Sequence, residues 1–270
     1  MTMGSKILLT AIVLFCAAGF AQAQDSDLHG SVDFTYQSKF LWRGFDLFGD
    51  KSAMQPSVDL DLFGTGLGVS VMAHRANSDG FEDDERWDYN FYYQNTLFPN
   101  EAHATMCRLG WTYYNYPEGH NQDADLQELY TVLSMPNMCP AGVVPSYALV
   151  KLWPNSSNSL VGAPSSDGTA SGFLHIFRLD YPLVVGGILP ETPEQVINFS
   201  AETIYNDGFG PRGENVDHDW SHAVFGVSTG IELADQFVLT PGVYHQVTMD
   251  SSVNEDKDET WATLSATYNF

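Results

Sequence analysis

The sequence predicts an all-β protein: a transmembrane antiparallel up-and-down β-barrel of about twelve strands, with both termini periplasmic. Three observations carry this. Apolar and polar residues alternate with period two along most of the chain. Long polar connections alternate with short ones. The chain follows an export signal and stops on Phe270.

The N-terminus sets how the rest is read. Lys6, an apolar run from Ile7 to Phe20, and Ala21-Gln22-Ala23 have the order of a secretory signal. The run is too short for a membrane-spanning helix, which needs about 20 apolar residues. Cleavage after Ala23 makes residues 1–23 a signal peptide and leaves residues 24–270 as one barrel domain. A lipoprotein signal using Cys16 is disfavoured by the bulky Phe15 before it. Losing Lys6 and no acidic residue takes the net charge from −23 to −24, which excludes nucleic-acid binding by a basic face. Mean hydropathy is −0.16 with 13% aromatic residues, as expected where lipid-facing and lumen-facing residues alternate. Only Cys107 and Cys139 remain in the mature chain, too few for a disulfide framework. Whether they pair stays open.

Strand one (31–43) puts Val32, Phe34, Tyr36, Phe40 and Trp42 on one face and Asp33, Thr35, Gln37, Lys39 and Arg43 on the other. Residues 54–62 oppose Met54, Val58 and Leu60 to Gln55, Asp59 and Asp61. Residues 67–74 set Leu67, Val69 and Val71 against Gly68, Ser70 and His74, and 87–94 set Trp87, Tyr89, Phe91 and Tyr93 against Asp88, Asn90 and Gln94. Residues 102–114 oppose Leu109, Trp111 and Tyr113 to Arg108 and Thr112; 126–134 oppose Leu129 and Leu133 to Glu128 and Tyr130. In 143–153 the pattern is weaker, because Lys151 falls on the apolar side. It returns in 173–181 (Phe173, Phe177, Leu179, Tyr181 against Arg178, Asp180), in 196–205 (Phe199, Ala201, Tyr205 against Ser200, Glu202), in 221–232 and in 237–248. It ends in 260–270, where Ala262, Leu264, Ala266, Tyr268 and Phe270 oppose Thr263, Ser265, Thr267 and Asn269. Twelve is an even count, as single-chain bacterial barrels have.

Connections such as 77–84, 117–124, 154–170, 206–219 and 250–259 are long or polar, whereas 63–66, 98–101, 135–141 and 233–236 are short. The stretch from Pro182 to Glu194 is longer than this rule, with room for a short helix or an extra turn. Long outer loops and short periplasmic turns are the wiring of a barrel. Trp42, Trp87, Trp111, Trp153, Trp220 and Trp261 suit aromatic girdles at the membrane interfaces. Leu264, Tyr268 and Phe270 form an assembly signal of the kind read by the barrel-assembly machinery.

The segment Ser38-Lys39-Phe40-Leu41-Trp42-Arg43-Gly44-Phe45-Asp46, followed by Gln55-Pro56-Ser57, resembles the first hairpin of TorF-like porins, a family of proteobacterial outer-membrane proteins. Trp111 to Pro117, Gln127 to Tyr130, and Pro145-Ser146-Tyr147 before Trp153-Pro154 are further echoes. The resemblance implies a barrel that is a channel, without naming a solute.

Function is therefore expected to be passage of small solutes across the bacterial outer membrane, not enzymatic catalysis. The pore-lining candidates are Asp33, Lys39, Arg43, Asp59, Asp61, Asp88, Arg108, Glu128, Arg178, Asp180 and Glu202. Their acidic excess predicts a modest cation preference. The competing expectation is that they pair across neighbouring strands, Arg43 with Asp59 or Asp61 and Arg178 with Glu202. Arg43 is read as an anchor for the first outer loop, with Gly44 permitting a bend. The acidic loops 79–85 and 250–259 lack the spacing of a calcium loop, and His218-Asp219-Trp220-Ser221-His222 lacks an assured third ligand. No catalytic residue, metal or cofactor is predicted. The expected partners are outer-membrane lipid and lipopolysaccharide, the barrel-assembly machinery and small solutes; oligomeric state stays open. Two alternatives remain. One is a structural or adhesive barrel with a plugged lumen. The other is a membrane-embedded hydrolase, raised by His175 and His245 on lipid-facing positions.

Overall fold

A computed structural model describes residues 28–118, 125–155, 170–187, 193–211 and 216–270. The proposed signal peptide lies outside them. Twelve strands run β1 His29–Gln37, β2 Ala53–Asp61, β3 Leu67–Ala76, β4 Arg86–Leu97, β5 Thr105–Asn115, β6 Leu126–Ser134, β7 Val144–Pro154, β8 Gly172–Gly186, β9 Glu194–Asp207, β10 His218–Thr229, β11 Phe237–Thr248 and β12 Glu259–Asn269. A short strand, Ile231–Ala234, continues β10 beyond Gly230 and also pairs with β11.

Every strand pairs antiparallel with its sequence neighbours. β12 then pairs with β1 from Ser31↔Asn269 to Gln37↔Thr263, so the sheet closes on itself and no edge is left. Phe270 completes the seam: its backbone N–H donates to the Gly30 carbonyl, and the Gly30 N–H donates back. A side chain at Gly30 would meet the Phe270 ring at 2.8 Å, so the terminal aromatic needs that glycine.

Alternation fixes which face is which. Val32, Phe34, Phe91, Leu109, Leu129, Phe177, Phe225, Val243 and Leu264 are exposed on the outer wall. A band of exposed aromatic and aliphatic side chains around a closed sheet is the arrangement lipid demands. The connections divide as the sequence predicts, with the longer ones at one end and both ends of the described barrel at the other.

Three inward tyrosines lie over glycines directly opposite them in register: Tyr92 over Gly68, Tyr130 over Gly110 and Tyr244 over Gly226. A methyl group at those glycines would come within 2.2–2.5 Å of the rings.

The structure corrects several expectations. β1 ends at Gln37, not at residue 43. Phe40 and Trp42 continue the alternating pattern, yet they fold back into the barrel and are not lipid-facing. β8 runs through Pro182 to Gly186, so the connection before Glu194 is shorter than the sequence suggests, and residues 188–192, where a short helix or extra turn is expected, lie outside the described residues. By Pro182, β8 has outrun its last β7 pair (Asp180↔Val144), a position where proline is tolerated. Trp87, Trp111, Trp153 and Trp220 face outward on the loop-end halves of their strands. Trp42 and Trp261 are inside. Cys107 and Cys139 are unpaired.

Candidate channel lumen

The loop after β1 builds the main feature of the interior. Leu41↔Asp46 and Trp42↔Phe45 pair as a small hairpin whose turn is Arg43-Gly44. Both turn residues have positive φ, 55° and 95°, as a type I′ turn requires. Such a conformation is easy for glycine and strained for arginine. Gly44 is also dictated by space, since a methyl there would sit 2.5 Å from His222 Nδ1. The Gln246 amide donates to the Gly44 carbonyl at 2.9 Å.

Burial holds this hairpin inside the loop end. Phe40, Phe45, Leu47 and Phe48 are buried together with Ala53, Val216 and Val253, and Phe81 packs against them. A second apolar cluster (Tyr114, Leu126, Val150, Leu152, Leu174, Ile176, Ile204, Phe209) fills the inner wall of β5–β9 near the same end, and Trp42 docks on it. Outside the membrane-spanning strands, Lys39 bridges Asp50 and Glu259. Hydrogen bonding by the Lys39 ammonium holds the Asp50 carboxyl below its usual range, while the two carboxylates raise Lys39. Asp46, Asp50 and Glu259 bring carboxylate oxygens within 4.8 Å of one another, but the Lys39 ammonium already bridges two of the three.

The sequence-predicted site residues fall into distinct groups. Lys39 lies in the loop rather than on the wall. Arg43 is the anchor of the first loop, but its partner is Glu128 across the barrel, not Asp59 or Asp61. Its Nη2 donates to both carboxylate oxygens at 3.0 and 3.1 Å, and Tyr114 donates to the same carboxylate at 2.7 Å. Asp88 faces inward against Arg86 and His74. The Gln55 amide meets His74 Nδ1 at 2.9 Å, which leaves Nε2 to donate to Asp88 at 2.8 Å. Arg178 and Glu202 are direct cross-strand neighbours, yet Arg178 bonds Asp180 on its own strand, at 2.7–2.9 Å. Asp59 accepts from Tyr92 at 2.7 Å, and Arg108 lies over the Tyr92 ring at 4.0 Å while donating to Gln94. Asp33 accepts from Thr35 and Thr267, and Asp61 from the backbone of Gly64 in the turn.

Arg86 is the residue that sequence reasoning missed. It is fully buried at the start of β4, with its guanidinium 3.9 Å from the Trp42 ring, 4.7 Å from Tyr114 and 5.6 Å from Phe40. Its Nε is 2.9 Å from Asp88 Oδ1, an ion pair whose angle is not that of a hydrogen bond. The available signal was its place next to Trp87: if tryptophan faces out, its neighbour faces in.

Among the described residues, no third ligand joins the histidines of the cluster at 218–222. His218 pairs with Asp207, Trp220 faces outward, and an irregularity after Ile204 turns His222 inward, where Ser221 Oγ is 2.7 Å from its Nδ1. On the outer wall His175 Nδ1 meets Tyr147 at 2.8 Å and His245 Nδ1 meets Thr260 at 2.8 Å, so each is tied to a neighbouring hydroxyl.

No family model matches the chain, and no curated protein does. Solved structures do. The KdgM porin in complex with disordered oligogalacturonate aligns at TM-score 0.51 and 10% identity, over 89% of this chain and 99% of that one. The NanC porin aligns at TM-score 0.51 and 10% identity, over 88% and 98%. The COG4313 outer membrane channel from Pseudomonas putida F1 gives TM-score 0.51 and 10% identity, over 90% and 95%. The fold is that of outer-membrane porins. At this identity the likeness concerns the closed twelve-stranded barrel and not the residues inside it.

Proposed function

We propose that the protein is an outer-membrane channel for passive diffusion of small solutes, with a modest preference for cations and a constriction made by the Trp42–Phe45 hairpin. The observation that carries this is the pairing of an apolar outer band with a charged inner face. Asp88, Glu128 and Asp180 are matched by Arg86, Arg43 and Arg178. Asp33, Asp59, Asp61 and Glu202 then stand against Arg108, an acidic excess that favours cations. The TorF-like resemblance of the 38–46 segment supports the same assignment, and that segment is the hairpin itself. The chain is exported after cleavage following Ala23 and has both termini in the periplasm. It is inserted by assembly machinery reading Leu264, Tyr268 and Phe270, within lipid and lipopolysaccharide.

Single-channel recording of the refolded mature protein under a KCl gradient tests this. Discrete steps with a reversal potential toward K⁺ are expected. An inserted, heat-modifiable barrel that stays silent overturns it in favour of a plugged structural barrel. That second reading is favoured by the apolar packing of the hairpin at the loop end. Phospholipid or ester turnover, absent on both readings, would instead establish a hydrolase.

A further inference from the structure

Beneath the hairpin the lumen holds a cavity of about 440 Å³, within the range of small-ligand sites. Arg43, Arg178, Glu202, His222, Tyr244 and Trp261 are among the side chains that line it. Both guanidiniums are already matched, Arg43 by Glu128 at 3.0 Å and Arg178 by Asp180 at 2.7 Å. Glu202, half-buried and directly opposite Arg178 in register, makes no ion pair and accepts no hydrogen bond among the described residues. Two positive and three negative groups therefore leave one negative charge, and it resides on Glu202. A carboxylate withdrawn from bulk water without a donor is poorly compensated, so the cavity is best completed by a solute that brings positive charge. His222 does not supply it, because it is buried and pairs with no carboxylate among the described residues.

The second feature is aromatic. Tyr244 and Trp261 stack with centroids 5.5 Å apart and planes 18° from parallel, on β11 and β12. Their faces attract cations and cover alkyl groups. An anion would meet Glu202 with neither arginine free to receive it, and a neutral sugar would leave the charge uncompensated.

We propose that this cavity is a subsite for small organic cations, an ammonium or guanidinium head on a short apolar body. Glu202 is the counter-charge and the Tyr244–Trp261 pair is the face on which the body rests. This deepens the channel assignment, since the solute must enter the lumen.

The test is a titration of the refolded mature protein in detergent micelles with tetramethylammonium, read by tryptophan fluorescence, with sodium, glucose and acetate as comparisons. Saturable binding is expected for tetramethylammonium, tighter than sodium by about tenfold or more, and weakened about tenfold in E202Q. W261F should remove most of the signal. Heat-modifiable gel mobility establishes that each variant is folded, and Y244L serves if E202Q is not. Equal binding to wild type and E202Q, a preference for glucose or acetate, or no saturable change with any probe overturns the proposal. Binding in micelles with silent bilayers keeps the subsite and sinks the channel; selective conductance without saturable binding does the reverse.

Discussion

Replacing Glu128 with alanine removes the carboxylate that holds the hairpin from across the barrel. Arg43 then keeps a guanidinium in a poorly hydrated place with no counter-charge, and the Tyr114 hydroxyl loses its acceptor. Breaking one partner of a buried pair costs about 3–5 kcal/mol. The Arg43 side chain retains 21% exposure against 4% for Glu128, so lumen water screens part of the loss and the lower end applies. About 3 kcal/mol shifts the ratio of docked to undocked hairpin by roughly a hundredfold. The strained backbone at Arg43, with φ of 55°, pulls in the same direction once its anchor is gone. Limited trypsin digestion reads this without requiring conductance, because the Arg43–Gly44 bond is cut only when the hairpin leaves the barrel. Cleavage through local opening follows the open population. E128A should therefore be cut after Arg43 roughly a hundredfold faster than wild type, with the barrel still heat-modifiable, and E128Q should fall between. Equal rates in wild type and E128A would refute the anchor, as would cleavage seen only when the whole barrel unfolds.

Gly44→Ala should destabilise hairpin docking by about 2–3 kcal/mol, because it adds a strained φ and a contact with His222 that cannot be relieved locally; the same digestion measures it. Asp59→Lys with Asp61→Lys should move the reversal potential in a KCl gradient toward Cl⁻, and an unchanged potential would place the selectivity elsewhere. The Lys39 bridge predicts a pH dependence of the first loop. Asp50 is held below its ordinary value of 3.8, so its contribution is complete above that value and lost as pH falls through the lower folded one. Lys39 is held above 10.5, so its contribution is complete below that and lost only in stronger alkali. Amide-exchange protection of residues 47–52 should thus stay level through neutral pH and drop in acid, and K39M should abolish the step. Deleting Phe270 should slow membrane insertion in cells and lower heat-modifiable yield, since it removes both the aromatic ring and the backbone pair with Gly30.

The wall of the barrel was legible because lipid and lumen make opposite demands on successive residues, and segments such as 87–94 and 260–270 state those demands without ambiguity. Lys151, the exception on the apolar side of its strand, does face outward, with its ammonium 4.4 Å from the Phe173 ring. The interior was less legible for a specific reason. Phe40 and Trp42 fall on the same parity as Val32, Phe34 and Tyr36, so a strand that ends and a strand that continues look alike. The distinguishing sign was Arg43-Gly44, a pair able to form a two-residue turn between Trp42 and Phe45. The partner of Arg43 could not be read, because Glu128 lies four strands away from Asp59 and only closure of the barrel brings it near. Arg178 and Glu202 were correctly placed as neighbours. Asp180 takes the guanidinium because residues two apart on a strand share a face, a competitor that cross-strand reasoning ignores.

The tyrosines that lie over Gly68, Gly110 and Gly226 give the bore its gauge. A phenol flat against the sheet takes up only the thickness of a ring; the same phenol standing upright would project its full length toward the axis. In the proposed channel the clearance is therefore set in part by glycines that no solute touches. Alanine at any one of them would lift a ring and narrow the interior, and at Gly68 it would also disturb Asp59, which accepts from Tyr92, and Arg108, which lies over that ring. In the proposed channel, size is thus set largely by residues that carry no charge, and Tyr92 is the point where gauge and charge meet.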